Sequence, residues 1–264
     1  MVIAAAMRLA AISFAILPWD FALILLVLAI IVPWRGTVRV RELLARPVLS
    51  PSDRIAIYGS TIAFQWVAAG FTVWRVHARA GAGSFVTSDL GLAVPHAARA
   101  IAVGVGLSLV MAASQIVSLR AVARLPAERR GKLFEIAGKL MPQSLTEALP
   151  FLALVCTVSV CEEFLYRGFA FAVFRDITGQ SVGAAIVGSS AIFAIGHLYQ
   201  GRRGVATTFV LGIILAGVRW WTGSLLPCMM AHFVTDMVAG FAGPRQALDI
   251  TGEGDSPMQA QLLP

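Results

Sequence analysis

A helix needs about 20 mainly apolar residues to cross the hydrocarbon core of a bilayer, and this chain contains seven runs of that kind, at 17–34, 55–76, 97–119, 147–174, 181–199, 204–222 and 224–241. Inside a bilayer every backbone N–H and C=O must find its partner within the spanning structure. The runs therefore predict an all-α, polytopic transmembrane helical bundle. An eighth span is conceivable at 2–17, which lacks the small-residue cleavage site of a signal peptide and reads as a retained membrane segment. Composition agrees: 58% of residues are hydrophobic and 13% charged, more apolar surface than a soluble core of this size absorbs. The run 147–174 is too long for a simple crossing, so its first turns, which include Pro150, are expected to lie at the interface or to carry a kink.

The net charge of +7 is dispersed over short loops rather than gathered on one soluble face, which argues against nucleic acid as a partner. Its distribution reads as topology. The first loop holds Arg35, Arg39, Arg41, Arg46 and Arg54, the third holds Arg120, Arg124, Arg129, Arg130, Lys132 and Lys139, and the fifth holds Arg202 and Arg203. The second loop (77–96) and the fourth (175–180) are poorer in basic residues. By the positive-inside bias, seven spans then place the N-terminus outside and the C-terminal tail in the cytoplasm. No internal repeat and no second domain is apparent. Residues 1–243 read as a single membrane-embedded bundle, with a chemical core at 145–241 and a polar, disordered tail at 244–264. Cys156, Cys161 and Cys228 lie in apolar runs and read as small buried hydrophobes rather than a disulfide framework. Trp220 and Trp221 read as an interfacial belt.

Charged side chains inside spans cost several kcal/mol or more and call for a partner, a watery cavity or a function. The first three runs have almost none away from their ends. The last four hold Glu162, Glu163, Arg167, His197, His232 and Asp236. Glu163 and Arg167 are four apart and can pair on one helical face, whereas Glu162 is turned about 100° away with no basic partner in its own helix. One carboxylate is thus neutralised and the other left available as a general base. The alternative for this pair is two buried glutamates in a structural polar network, the less favoured of the two readings. Phe193 and His197 share a face, though a lone histidine near a span end is as readily an interfacial residue. His232 and Asp236 stand at i and i+4, where a carboxylate orients an imidazole or both bind one metal. Cys228 and His232 mimic a nucleophile and base, but Pro227 and the apolar setting favour a packed thiol. Counting from outer ends near Arg175, Ser181 and Ser224 at about 1.5 Å per residue, Glu162 lies about 20 Å deep, His197 about 24 Å, His232 about 12 Å and Asp236 about 18 Å. Three helices deliver acid–base groups to one central band, as a single site requires.

The ordered set Glu162-Glu163-x-x-x-Arg167, Phe193-x-x-x-His197 and His232-x-x-x-Asp236 resembles the CAAX protease and bacteriocin-processing (CPBP, or Abi) family of intramembrane endopeptidases, over roughly residues 145–241. The resemblance implies a hydrolase of the bacterial plasma membrane that cuts peptide bonds of a membrane-associated protein or peptide within a polar cavity. Carried over by position, Glu162 is the base that activates water, assisted by His197. Glu163 and Arg167 are the supporting pair, and His232 and Asp236 stand where the oxyanion is held. Many relatives carry Asn in place of Asp236, and an ionised Asp cannot donate to an oxyanion. That residue is then protonated, or orients His232, or ligates a metal. Glu162, His197, His232 and Asp236 are also zinc-ligand types, so zinc is the one cofactor left open. Two other functional classes stay in view: a non-catalytic immunity or scaffold protein of the same fold, and a proton-coupled transporter, which the absence of repeats and paired broken helices disfavours. Substrate identity, prenylation and oligomeric state are not legible.

Overall fold

The computed structural model describes residues 17–79, 85–126 and 129–251. Among the described residues there are helices and no strands: α1 (Trp19–Ala45), α2 (Pro51–Ala78), α3 (Ala97–Ala123), α4 (Lys132–Leu140), α5 (Leu145–Ile177), α6 (Val182–Gly196), α7 (Gly201–Thr222) and α8 (Leu226–Thr251). Five helical stretches are long and apolar enough to cross a membrane, namely α1, α2, α3, α5 and the stretch Leu198–Thr222 that contains α7. Two further expected spans fall on shorter apolar helices, Val182–Gly196 and Leu226–Phe241. The stretch 2–17, where an eighth span was conceivable, lies outside the described residues but for residue 17.

Local chemistry sets the helix boundaries. Ser50 caps α2 through a reciprocal capping box with Asp53, and Pro51 occupies the first turn, where its missing N–H costs nothing. Ser181 accepts from the Ala184 N–H and starts α6. Gly223, at φ 70°, ends α7 in the left-handed conformation that glycine adopts without strain. Several helices overrun the hydropathy boundaries. α1 continues through Arg35, Arg39 and Arg41, and α2 takes in Arg54, because arginines at a span end extend towards the interface or find a partner. The backbone of α8 runs to Thr251, so the first residues of the polar tail continue the last helix instead of leaving it at Pro244. Residues 252–264 lie outside the described residues.

α5 is central. Its apolar window is 44% buried, against 17–33% for the other four candidate spans, whose outer faces carry exposed apolar side chains such as Trp66, Val67, Leu109 and Val110. α2 packs on its first half, α6 on its second half, and α8 runs between α5 and α3. The length of α5 has a structural origin. Leu145–Glu162 and Phe171–Ile177 are α-helical, but Glu163–Ala170 between them is π-helical, and all eight of its residues are buried. A π insertion widens the helix by one residue per turn and is often found at functional sites. Each inserted residue rotates the downstream part of the helix by about 100°. Pro150 stays inside the first α segment.

Buried ion pairs hold the two ends. Arg54 makes two bonds to Glu147, 2.7 and 2.9 Å, with side-chain exposures of 4% and 0%, joining α2 to the start of α5. Lys139 of α4 donates to the carbonyls of Leu43, Leu44 and Arg46, at and just beyond the end of α1. The two most basic stretches of sequence thus meet at one end of the bundle. At the other, Asp20 is wholly buried between Arg75 and Arg79. There Leu90 plugs into the core, the Leu225 N–H donates to the Gly91 carbonyl, and Arg219 donates to the Asp89 carbonyl. Gly168 admits this loop, because a Cβ there would lie 2.9 Å from the Leu90 oxygen.

One reading of the sequence is corrected, and packing adds detail at two neighbouring side chains. Cys161 and Cys228 are buried but Cys156 is exposed on α5, since an apolar environment in a span includes the lipid-facing side. Arg219, next to the tryptophan pair, is 2% exposed, with its guanidinium 4.4 Å from the Phe171 ring centroid. Trp220 stacks on Phe171 at 6.4 Å while staying 44% exposed, so only one of its faces belongs to the surface.

Candidate active site

The chemistry-bearing residues converge where the π segment of α5 meets α2, α6 and α8. Glu163 and Arg167, both 0% exposed, form the expected i, i+4 pair with Arg167 Nη1 donating to Glu163 Oε1 at 3.0 Å. The same oxygen is 2.8 Å from His232 Nδ1 on α8. The ring's other nitrogen, Nε2, lies 3.6 Å from Asp236 Oδ2, the far carboxylate being 36% exposed. A continuous line therefore runs Arg167–Glu163–His232–Asp236, from the buried core to a more open position.

Phe193 of α6 is the hub that brings His197 to this line. Its ring lies 3.8 Å from the Arg167 guanidinium, 6.3 Å from the His232 ring and 4.6 Å from the His197 ring. A guanidinium on a desolvated aromatic face is held by cation–π attraction, which gives Arg167 a second anchor besides its carboxylate. His197 is the residue on which α6 ends, and its Nδ1 is 2.8 Å from the Phe193 carbonyl. A carbonyl only accepts, so Nδ1 carries the proton and a neutral His197 presents Nε2 as a lone pair. The i, i+4 spacing of Phe193 and His197 thus fixes a tautomer.

Glu162 is tethered differently. Its Oε1 accepts from Gln65 Nε2 of α2 at 2.8 Å, and its Oε2 is buried with no hydrogen-bond partner. Among the described residues it is hydrogen-bonded to neither His197 nor His232. The two adjacent glutamates differ as the spacing predicts: Glu163 faces a cation and an imidazole, Glu162 a neutral amide. Among the described residues, four of the six buried polar atoms without a partner are Glu162 Oε2, Glu163 Oε2, Arg167 Nε and Arg167 Nη2. Buried polar atoms are nearly always paired, so this clustering marks one place where hydrogen-bonding capacity is held in reserve.

Two contacts escaped the reading of the sequence. Hydropathy and charge scanning passed over Gln65, which is uncharged; a carboxamide in the middle of an apolar run was the available signal. The Glu163–His232 bond spans 69 residues and leaves no trace in helical spacing. Cys228 donates to the Leu215 carbonyl at 3.2 Å and is fully buried, the packed thiol that its setting suggests. As for zinc, no group of three or more His, Cys, Asp or Glu able to hold a metal ion occurs among the described residues. The Nδ1 bonds of both histidines leave Nε2 free and do not stand against a metal, but three nitrogen or oxygen ligands are the usual minimum, so these side chains as placed do not gather closely enough for a zinc centre.

Residues 144–238, which hold every one of these motifs, match the family model described as type II CAAX prenyl endopeptidase Rce1-like. The match covers nearly the stretch on which the motif order shows its resemblance. No curated protein and no solved structure matches the chain.

Proposed function

With the match of residues 144–238 to the Rce1-like family of membrane peptidases as premise, we propose that the chain is an intramembrane endopeptidase that hydrolyses peptide bonds of a membrane-associated protein or peptide with Glu162 as general base. One observation carries this reading: among the described residues, four of the six buried side-chain polar atoms without a partner belong to Glu162, Glu163 and Arg167, on the helical segment that meets His232 directly and His197 through Phe193. A water held between Glu162 Oε2 and the His197 Nε2 lone pair has two acceptors for its protons. Glu162 takes one proton as the water oxygen adds to the scissile carbonyl carbon, giving a tetrahedral oxyanion. The C–N bond then breaks, the carbonyl re-forms, and the same proton passes from Glu162 to the leaving amine.

His232 suits the oxyanion. As an imidazolium between the Glu163 and Asp236 carboxylates it donates from both nitrogens, Nδ1 to Glu163 and Nε2 outward. Asp236, an acceptor when ionised, then orients His232 and does not itself donate. The family description names a CAAX prenyl endopeptidase, and a prenylated chain end is held at the bilayer by its lipid; a bacteriocin-type membrane-associated peptide is the other substrate class. We place seven helices across a bacterial plasma membrane with the end carrying Arg54 and Lys139 in the cytoplasm, in keeping with the meeting of the basic stretches there.

The test is cleavage of farnesylated and unprenylated membrane-anchored peptides by the protein in lipid nanodiscs, with products identified by mass spectrometry. Wild type is expected to cut one class and Glu162→Gln neither. Stoichiometric peptide binding without cleavage would move the chain to the scaffold class, and proton flux in proteoliposomes to the transporter class.

A further inference from the structure

α2 lies outside the matched residues 144–238, yet it supplies the hydrogen bond that holds Glu162. We propose that Gln65 is a positioning residue for the reaction: its amide fixes Glu162 Oε1 and so leaves Oε2 as the oxygen that takes the proton from water. This rests on the reading of Glu162 as the base. A carboxamide in a span carries a steep cost unless its polar atoms are bonded. Other polar side chains of α2 are satisfied structurally. Ser60, Thr61 and Thr72 bond back to carbonyls of their own helix, and Tyr58 donates to the Leu140 carbonyl. Gln65 instead reaches a carboxylate 97 residues away.

The chemistry of the pair favours positioning over simple glue. A cation at position 65 would pair with Glu162 and remove it from use as a base, which is the relation of Arg167 to Glu163. An uncharged donor restrains one oxygen and leaves the charge in place. A second contact one residue on, Trp66 Nε1 to Thr157 Oγ1 at 3.2 Å, joins the same two helices without touching the carboxylates. Helix docking and carboxylate positioning can therefore be perturbed separately.

Gln65→Met keeps the length of the side chain and removes the donor. A hydrogen bond to a charged group lost at the reacting centre is expected to lower kcat about 10- to 100-fold with KM within about twofold of wild type. Thr157→Val, which breaks the neighbouring contact, should leave kcat unchanged. Equal falls in kcat for the two variants, or a kcat for Gln65→Met equal to wild type while Glu162→Gln is inactive, would overturn the proposal. Activity in Glu162→Gln would instead refute the assignment of the base. Infrared difference spectra supply a readout that needs no substrate. The carboxyl band that disappears in Glu162→Gln should shift in Gln65→Met and stay in place in Thr157→Val, and an unmoved band in Gln65→Met would also overturn it.

Discussion

Glu163→Gln exchanges one carboxylate oxygen for an amide at a position that is 0% exposed and faces two donors, Arg167 Nη1 at 3.0 Å and His232 Nδ1 at 2.8 Å. Shape is conserved and charge is not. Arg167, also 0% exposed, then faces a neutral amide and the Phe193 ring in place of its carboxylate partner, its Nε and Nη2 having no hydrogen-bond partner. Removing one member of a fully buried ion pair costs about 3–5 kcal/mol. At about 2–4 °C per kcal/mol for a chain of this size, the melting temperature in detergent should fall by roughly 10 °C. Glu162→Gln strands no cation, because its partner Gln65 donates to a carboxamide oxygen as well as to a carboxylate. It should melt within about 2 °C of wild type yet lose turnover by about 100-fold or more, the usual share of a general base. The two variants, purified side by side and compared by thermal melting and peptide cleavage, separate a structural carboxylate from a chemical one. An equal loss of stability in both, or an unchanged melting temperature in Glu163→Gln, would refute the division of roles.

His197→Asn keeps an N–H where Nδ1 donates to the Phe193 carbonyl and removes the Nε2 end of the ring, so cleavage should fall about 100-fold with melting little changed; activity within about threefold of wild type would rule out His197 as a partner of the water. Asp236→Asn should keep a substantial fraction of activity, because a 3.6 Å contact from a side chain 36% exposed orients His232 weakly. Elemental analysis alongside it decides the metal question, and one tightly bound zinc per active chain, lost together with activity in the variant, would overturn the metal-free account. Thr178→Cys, at the turn after α5, should react with a membrane-impermeant thiol reagent from outside the cell, and labelling only from the cytoplasmic side would invert the topology.

The sequence by itself determined the helical, membrane-embedded class, because the length of each apolar run is set by local hydropathy and needs no partner to be read. It also determined the non-equivalence of Glu162 and Glu163. Arg167 follows Glu163 by four residues and Glu162 by five, so α-helical spacing pairs it with Glu163, and that pair forms even though the segment is π-helical, which spacing did not show. The tertiary structure decided what spacing cannot encode. The Glu163–His232 bond joins residues 69 apart, and the Gln65–Glu162 bond joins residues 97 apart. Each exists only because α5 is packed between α2 and α8, and no periodicity within one helix reports on its neighbours. Arg54 shows the same limit from the other side: counted with the loop charges that set topology, it lies 4% exposed against Glu147. A charge near a span end has two ways to avoid lipid, to reach water or to find a buried counter-ion. Only the packing of helices decides between them.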